Sequence, residues 1–238
     1  MTKPLPRGLV PSLALACHPL PTAAMTIALT VAAALTGRPA EQCALVAGTV
    51  LTGQLSVGWL NDVLDRNRDA EVGRRDKPVA MGWIDPGTVV FAIAVAVLLV
   101  IPLSFTNGTE AGLAHLGAVA SAWLYNLVFK RTVLSWLPYA VSFGLLPAFL
   151  SYGGLGGGMH GGPPTIPMTV AAAALGIGIH FLNVLPDLVQ DHETGVRHLP
   201  LRIALRIGAP RLLWISTAYT TLAAAGVVAA GLTVGLSQ

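Results

Sequence analysis

Charge is scarce in this chain. Of 238 residues only 11% are Asp, Glu, Lys or Arg, whereas an ordinary soluble domain carries about a quarter. Cysteine is nearly absent: Cys17 and Cys43 are the only two, too few for a disulfide scaffold and insufficient alone for a zinc site. In their place stands apolar bulk, with 54% hydrophobic residues and a mean hydropathy of +0.69. A water-soluble globule of this composition would expose apolar side chains over most of its surface, and large patches of that kind are rare. The composition therefore excludes an ordinary cytosolic enzyme and a disordered tail as well.

Seven apolar runs have the length of a membrane-crossing helix, about 17 to 25 residues. They lie at 20–36, 40–60, 87–105, 111–129, 133–152, 167–186 and 211–235. Short connections predict an all-α, polytopic bundle forming a single domain over 1–238, with no soluble domain appended. Lys3 and Arg7 before the first run raise a secretory signal peptide, but six further runs and the Pro19/Pro21 interruption favour a retained helix. Thirteen of the 14 basic residues fall on one side of these runs and only Arg38 on the other. The positive-inside rule then puts that side in the cytoplasm and Gln238 outside. The net charge of +3 thus reflects topology in a cell membrane, and nucleic-acid binding has no support.

Nine of the 11 acids lie on the same side, most densely in two segments at the ends of the second and sixth runs. The first carries Asn61, Asp62, Asp65, Arg68 and Asp69. On a helix the three aspartates fall within about a 60° arc, where like charges repel unless a cation neutralises them. The second carries Asn183, Asp187 and Asp191, the two aspartates one turn apart, with Glu193 following. Either segment alone reads equally well as solvated loop charge. Two of them, each led by an asparagine and followed by basic residues, point to a site, since acids at membrane depth are costly. Hard oxygen ligands favour magnesium, which typically joins one or two carboxylates to substrate phosphates. Arg68, Arg74, Lys77, Lys130 and Arg197 stand ready for the remaining phosphate oxygens, although basic loops also anchor to anionic lipid. His180 reads as a packed histidine. The Gly153–Pro167 stretch reads as an outer-face hairpin, because it lacks the Gly-Lys-Ser/Thr ending of a phosphate loop.

At these residues the chain resembles the UbiA superfamily of intramembrane prenyltransferases. Asn61, Asp62, Asp65 and Asp69 match its N-D-x-x-D-x-x-x-D motif, and Asp187 and Asp191 its D-x-x-x-D motif, with Gly195 and Leu199-Pro200 downstream. Lys77-Pro78 and Gly82 look like its basic-Pro-x-x-x-Gly sequence, and His18-Pro19 stands where many members carry Arg-Pro. The resemblance implies Mg²⁺-dependent transfer of an isoprenoid chain from a prenyl diphosphate to an aromatic, quinone-precursor or lipid acceptor, at a cavity open to the cytoplasm. It implies that Asn61, Asp62, Asp65, Asp69, Asp187 and Asp191 hold the metal. Arg68, Arg74, Lys77 and Arg197 would hold the diphosphate, and Tyr125 and Lys130 would act in catalysis. Tyr125 would offer its ring face to the developing cation, although a membrane-interface aromatic explains a tyrosine at a span end equally well. Relatives usually have nine spans and here only one follows the second motif, so the tail channel would lie open to lipid or be completed by a partner subunit or second copy. Their tyrosine and lysine lie four apart, whereas Tyr125 and Lys130 are five apart, which rotates a helix by about another 100° and puts Phe129 in the lysine position. A cyclase or diphosphate lyase on the same scaffold, a transporter and a non-catalytic subunit remain as alternatives.

Overall fold

The structure is a computed structural model and describes residues 8–153 and 162–235. Among the described residues all regular elements are helical: α1 (Leu9–Ala16), α2 (Pro19–Leu35), α3 (Ala40–Glu71), α4 (Pro86–Thr106), α5 (Thr109–Leu127), α6 (Leu137–Tyr152), α7 (Ile166–Val184), α8 (Leu188–Glu193), α9 (Leu199–Ile207) and α10 (Ala209–Gly235). Helices stand at all seven expected positions. By length and apolarity four of these stretches can cross a membrane, or five if the bent pair α1–α2 is one span. The chain is an integral membrane protein. α5 falls below the apolar threshold, with Glu110, His115 and Asn126 along it, and α6 has only 16 residues. Residues 154–161, which hold most of the glycine-rich stretch and His160, lie outside the described residues, as do Lys3 and Arg7.

The helices form two compact units, one of α1–α4 and one from Glu110 onward, holding the rest of α5 through α10. In the first, α3 packs on both α2 and α4. It runs to Glu71, well past the expected end at 60, because its polar last third contains no helix breaker before Gly73, whose φ is +71°. Thirty-two residues make a rod of about 48 Å, longer than the roughly 30 Å hydrocarbon core, so its acidic end reaches beyond the apolar slab. Near the other end Asn107 Nδ2 donates to Thr49 Oγ1 at 3.0 Å and to the Leu103 carbonyl at 2.8 Å, clasping α3 to α4. Such hydrogen bonds between helices help hold membrane bundles together.

A sharp elbow separates α1 from α2, which bend by 71°. His18 adopts the left-handed conformation there (φ 57°), unlike every other non-glycine among the described residues. Pro19 then starts α2 without needing an amide partner. The opened backbone is repaired by side chains: Thr22 Oγ1 donates to the Cys17 carbonyl at 2.8 Å and Trp59 Nε1 to the Leu13 carbonyl at 2.9 Å. Gly58 makes the close approach possible. A Cβ there would stand 2.6 Å from the Cys17 carbonyl carbon and 2.8 Å from its Cα, nearer still to the oxygen. We expect Gly58→Ala to destabilise the protein by about 1–3 kcal/mol through overpacking. Gly48→Ala, on the same helix but facing open space, should be neutral or mildly stabilising. Unfolding temperatures of the two variants in detergent check this directly.

In the second unit α7 lies between α6 and α10. Two glycines of α7 admit neighbouring atoms where a methyl group would collide: Gly176 against the Tyr139 carbonyl and Phe143, and Gly178 against Thr220. Ser121 Oγ donates to the Pro138 carbonyl at 3.0 Å and Ser142 Oγ to the Ala118 carbonyl at 2.9 Å, tying α5 to α6.

Candidate active site

The stripe expected from the first acidic segment forms, and it is buried. Asp62, Asp65 and Asp69 all turn inward from the end of α3, where the chain after Gly73 folds back over them. Lys77, only 7% exposed, places its Nζ 3.4 Å from Asp62 Oδ1 and 4.0 Å from Asp69 Oδ2. The Val79 amide donates to Asp62 Oδ2 at 3.2 Å. Arg68 spans the other side, with its Nη2 3.7 Å from Asp65 and 3.8 Å from Asp69. Three carboxylates therefore face two cations.

His18 joins the same cluster through the elbow. Its Nε2 lies 2.9 Å from Lys77 Nζ and 3.0 Å from Asn61 Oδ1. A ring nitrogen offers either a lone pair or a proton, so His18 accepts from Lys77 or donates to Asn61, one at a time. Arg74, by contrast, grips Asp76 with two hydrogen bonds of 3.0 Å in an exposed pair. That guanidinium holds the Asp76 carboxyl below the usual carboxylate range. A depressed pKa makes the pair's contribution present above the ordinary carboxylate pKa and lost as pH falls through the lowered value. Exposure keeps that contribution small.

In the second acidic segment the helix does not run on evenly. Pro186 lacks an amide hydrogen, and Leu185–Asp187 tighten into a 3₁₀ turn before α8. Asp187 is half-buried at the start of α8 and Asp191 is buried. Asp191 Oδ2 accepts from His198 Nε2 at 2.9 Å, while His198 Nδ1 accepts from the Leu201 amide at 3.0 Å as the N-cap of α9. An accepting Nδ1 carries no proton, so His198 is neutral and its bond to Asp191 leaves the carboxylate's negative charge in place. The sequence reading missed His198. Its one signal is position, at the cap of a short helix with Pro200 in the first turn.

Tyr125 is buried, which removes the membrane-interface explanation. Its ring meets Tyr139 edge-on at 5.0 Å and His180 at 5.6 Å. His180 is fully buried, as a packed histidine should be, with Nε2 3.0 Å from Ser135 Oγ and Nδ1 without a hydrogen-bond partner. Its ring lies 6.5 Å from that of His198, so aromatic rings lead from Tyr125 towards Asp191. Tyr139 was also missed, since an isolated tyrosine in an apolar run carries no pattern. Lys130 needs a correction. α5 ends at Leu127, and Lys130 sits in a 3₁₀ turn over Phe129–Arg131. A rotation of 100° per residue therefore does not apply to it, and Phe129 does not occupy its place on a continuous helix. Arg197 is exposed in the loop after α8.

Among the described residues no three His, Cys, Asp or Glu side chains converge as a ready-made metal cage. The first cluster nevertheless suits a small hard cation in its chemistry. All its anionic donors are carboxylates, and two buried oxygens, Asp62 Oδ1 and Asp69 Oδ2, lack a hydrogen-bond partner. Magnesium prefers such ligands.

The model of the UbiA prenyltransferase family matches residues 20–237. The fold is similar to that of a UbiA homolog from Archaeoglobus fulgidus solved with GPP and Mg²⁺, with a TM-score of 0.72 and 16% identity over 93% of this chain and 78% of that one. The same homolog bound to DMAPP and Mg²⁺ aligns with a TM-score of 0.71, again at 16% identity over 93% and 78% of the two chains. No curated protein matches the sequence.

Proposed function

Because the chain belongs to the UbiA prenyltransferase family, we propose that it transfers a prenyl group from a prenyl diphosphate to an acceptor within the membrane, in a magnesium-dependent reaction. The observation that carries this is the buried stripe of Asp62, Asp65 and Asp69 with Lys77 and Arg68, because burying charged groups in a protein interior is costly and clusters of them mark functional sites. The Archaeoglobus homolog, with GPP or DMAPP and Mg²⁺ bound, supports the choice of substrate and metal.

On this reading Asn61, Asp62, Asp65, Asp69, Asp187 and Asp191 hold magnesium. Bound there, the metal would neutralise charge on a leaving diphosphate. Arg68, Arg74, Lys77, Lys130 and Arg197 donate to the diphosphate oxygens and stabilise the charge that develops as the allylic C–O bond breaks. Tyr125 turns its ring to the carbon that becomes cationic, and the apolar helices keep water from quenching it. The acceptor forms the new bond and gives up a proton. That the family model spans both units supports reading them as one prenyltransferase domain. The basic loops support a working face in the cytoplasm.

Membranes containing the protein, given geranyl, farnesyl or geranylgeranyl diphosphate with a panel of acceptors, should yield an adduct by mass spectrometry that disappears on chelation with EDTA. A free hydrocarbon or alcohol formed without any acceptor would overturn transfer in favour of cyclase or lyase chemistry.

A further inference from the structure

α9 is too short to cross a membrane, at about 14 Å for its nine residues. Its exposure changes along its length: Leu201 is 2% exposed, and Leu205, one turn on along the same face, is 60% exposed. Arg202 and Arg206 share a strip about 40° wide, and Ile203, Ala204 and Ile207 fill the remainder. A helix with a narrow basic strip and an otherwise apolar girth lies in the plane of a membrane interface. Arg211 adds a third exposed cation in the first turn of α10, where a positive charge opposes the helix dipole. Helix stability therefore gives no reason for it.

No carboxylate offsets these charges. From Thr194 to Gln238 the sequence has no Asp or Glu. Among the described residues Arg202, Arg206 and Arg211 form no ion pair, and Arg202 spends its Nε on the Arg197 carbonyl at 3.1 Å. The stretch between Arg206 and Arg211 helps to line a groove of about 500 Å³, bounded by Leu182, Leu185, Pro186, Ala209, Pro210 and Leu213. Its lining is apolar, and Arg211 follows directly on Pro210. The size falls within the range of small-molecule sites.

We propose that this groove and the arginines of α9 and α10 form a binding site for one anionic phospholipid, an acyl chain lying along Leu182, Leu185 and Leu213 and the phosphate held by Arg202, Arg206 and Arg211. Charge complementarity selects an anionic over a zwitterionic lipid, and the apolar groove selects a lipid over a free anion. The site adjoins the residues assigned to the reaction, through Pro186 beside Asp187 and Arg202 on the Arg197 carbonyl, but shares no side chain with them, and its test reads lipid binding and not prenyl transfer.

Trp214, 76% exposed and next to Leu213, supplies the readout. The full chain is reconstituted with dibrominated phosphatidylglycerol or dibrominated phosphatidylcholine, and quenching is compared with that of the Trp214→Phe variant to isolate the Trp214 signal. Each arginine near an anionic headgroup contributes a factor of about five, so phosphatidylglycerol should be preferred at least fivefold. R206Q should lower the ratio by about that factor. The triple variant R202Q/R206Q/R211Q should bring it to about one, while the corresponding triple lysine variant keeps most of it. A ratio of one in the wild-type protein, or an unchanged ratio in R206Q, overturns the site. Equal displacement of the brominated lipid by inorganic phosphate overturns the role of the groove. Displacement by geranylgeranyl diphosphate in preference to phosphatidylglycerol overturns the phospholipid assignment in favour of the prenyl substrate.

Discussion

Asp65→Ala and Asp191→Ala should each lower prenyl transfer at least about 100-fold, the scale seen when a preorganised charge-stabilising group is removed from an active site. Both side chains are buried, and their polar neighbours differ. Asp65 faces Arg68 at 3.7 Å, while Asp191 accepts from a neutral His198. Expression and membrane insertion should survive both changes, because alanine removes a buried charge and adds no bulk. If the two acidic segments serve one diphosphate, the double variant should be scarcely worse than either single one, since residues that act as a unit are strongly non-additive. Turnover measured by product mass spectrometry at saturating Mg²⁺ checks this. Activity retained in both single variants would sink the assignment.

Lys77→Ala should be the most destabilising single change in the cluster. Removal of one partner from a buried ion pair typically costs about 3–5 kcal/mol, because the remaining charge has no counter-ion. Here Asp62 would be stranded with only the Val79 amide, while Asp65 and Asp69 would share Arg68 alone. Arg74→Ala provides the contrast. Its partner Asp76 has a side chain 64% exposed, and exposed pairs are worth about 0–1 kcal/mol. Thermal unfolding in detergent should rank wild type and Arg74→Ala together, well above Lys77→Ala. Adding Asp62→Asn to Lys77→Ala should recover part of the loss. An unfolding temperature for Lys77→Ala equal to that of the wild type would show that the pairing contributes nothing to stability.

The fold was largely legible because the physics that forms membrane helices acts along the chain. Seven apolar runs gave helices in seven places, and the i, i+3, i+7 spacing of Asp62, Asp65 and Asp69 gave one buried stripe. Boundaries were less secure where polar sequence kept helical geometry or lost it: α3 ran on to Glu71 with no breaker before Gly73, and α5 ended at Leu127 before reaching Lys130. What no pattern announced are features made by chain segments meeting. His18 reaches Lys77 across 59 positions only because Gly58 lets the elbow rest on α3. His198 reaches Asp191 only because α9 starts where it does. Tyr139 and Ser135 gain their neighbours from the packing of α5, α6 and α7.

The unbroken length of α3 has a mechanical consequence. A stiff rod of about 48 Å pivoting at its centre moves its tip by about 0.4 Å for each degree of tilt. Helices answer changes in hydrocarbon thickness largely by tilting. Asp62 lies about 10 Å from that centre and Asp69 about 20 Å, so a thinner or thicker membrane displaces Asp69 about twice as far as Asp62. Lipid chain length thereby becomes a dial on where these oxygens stand.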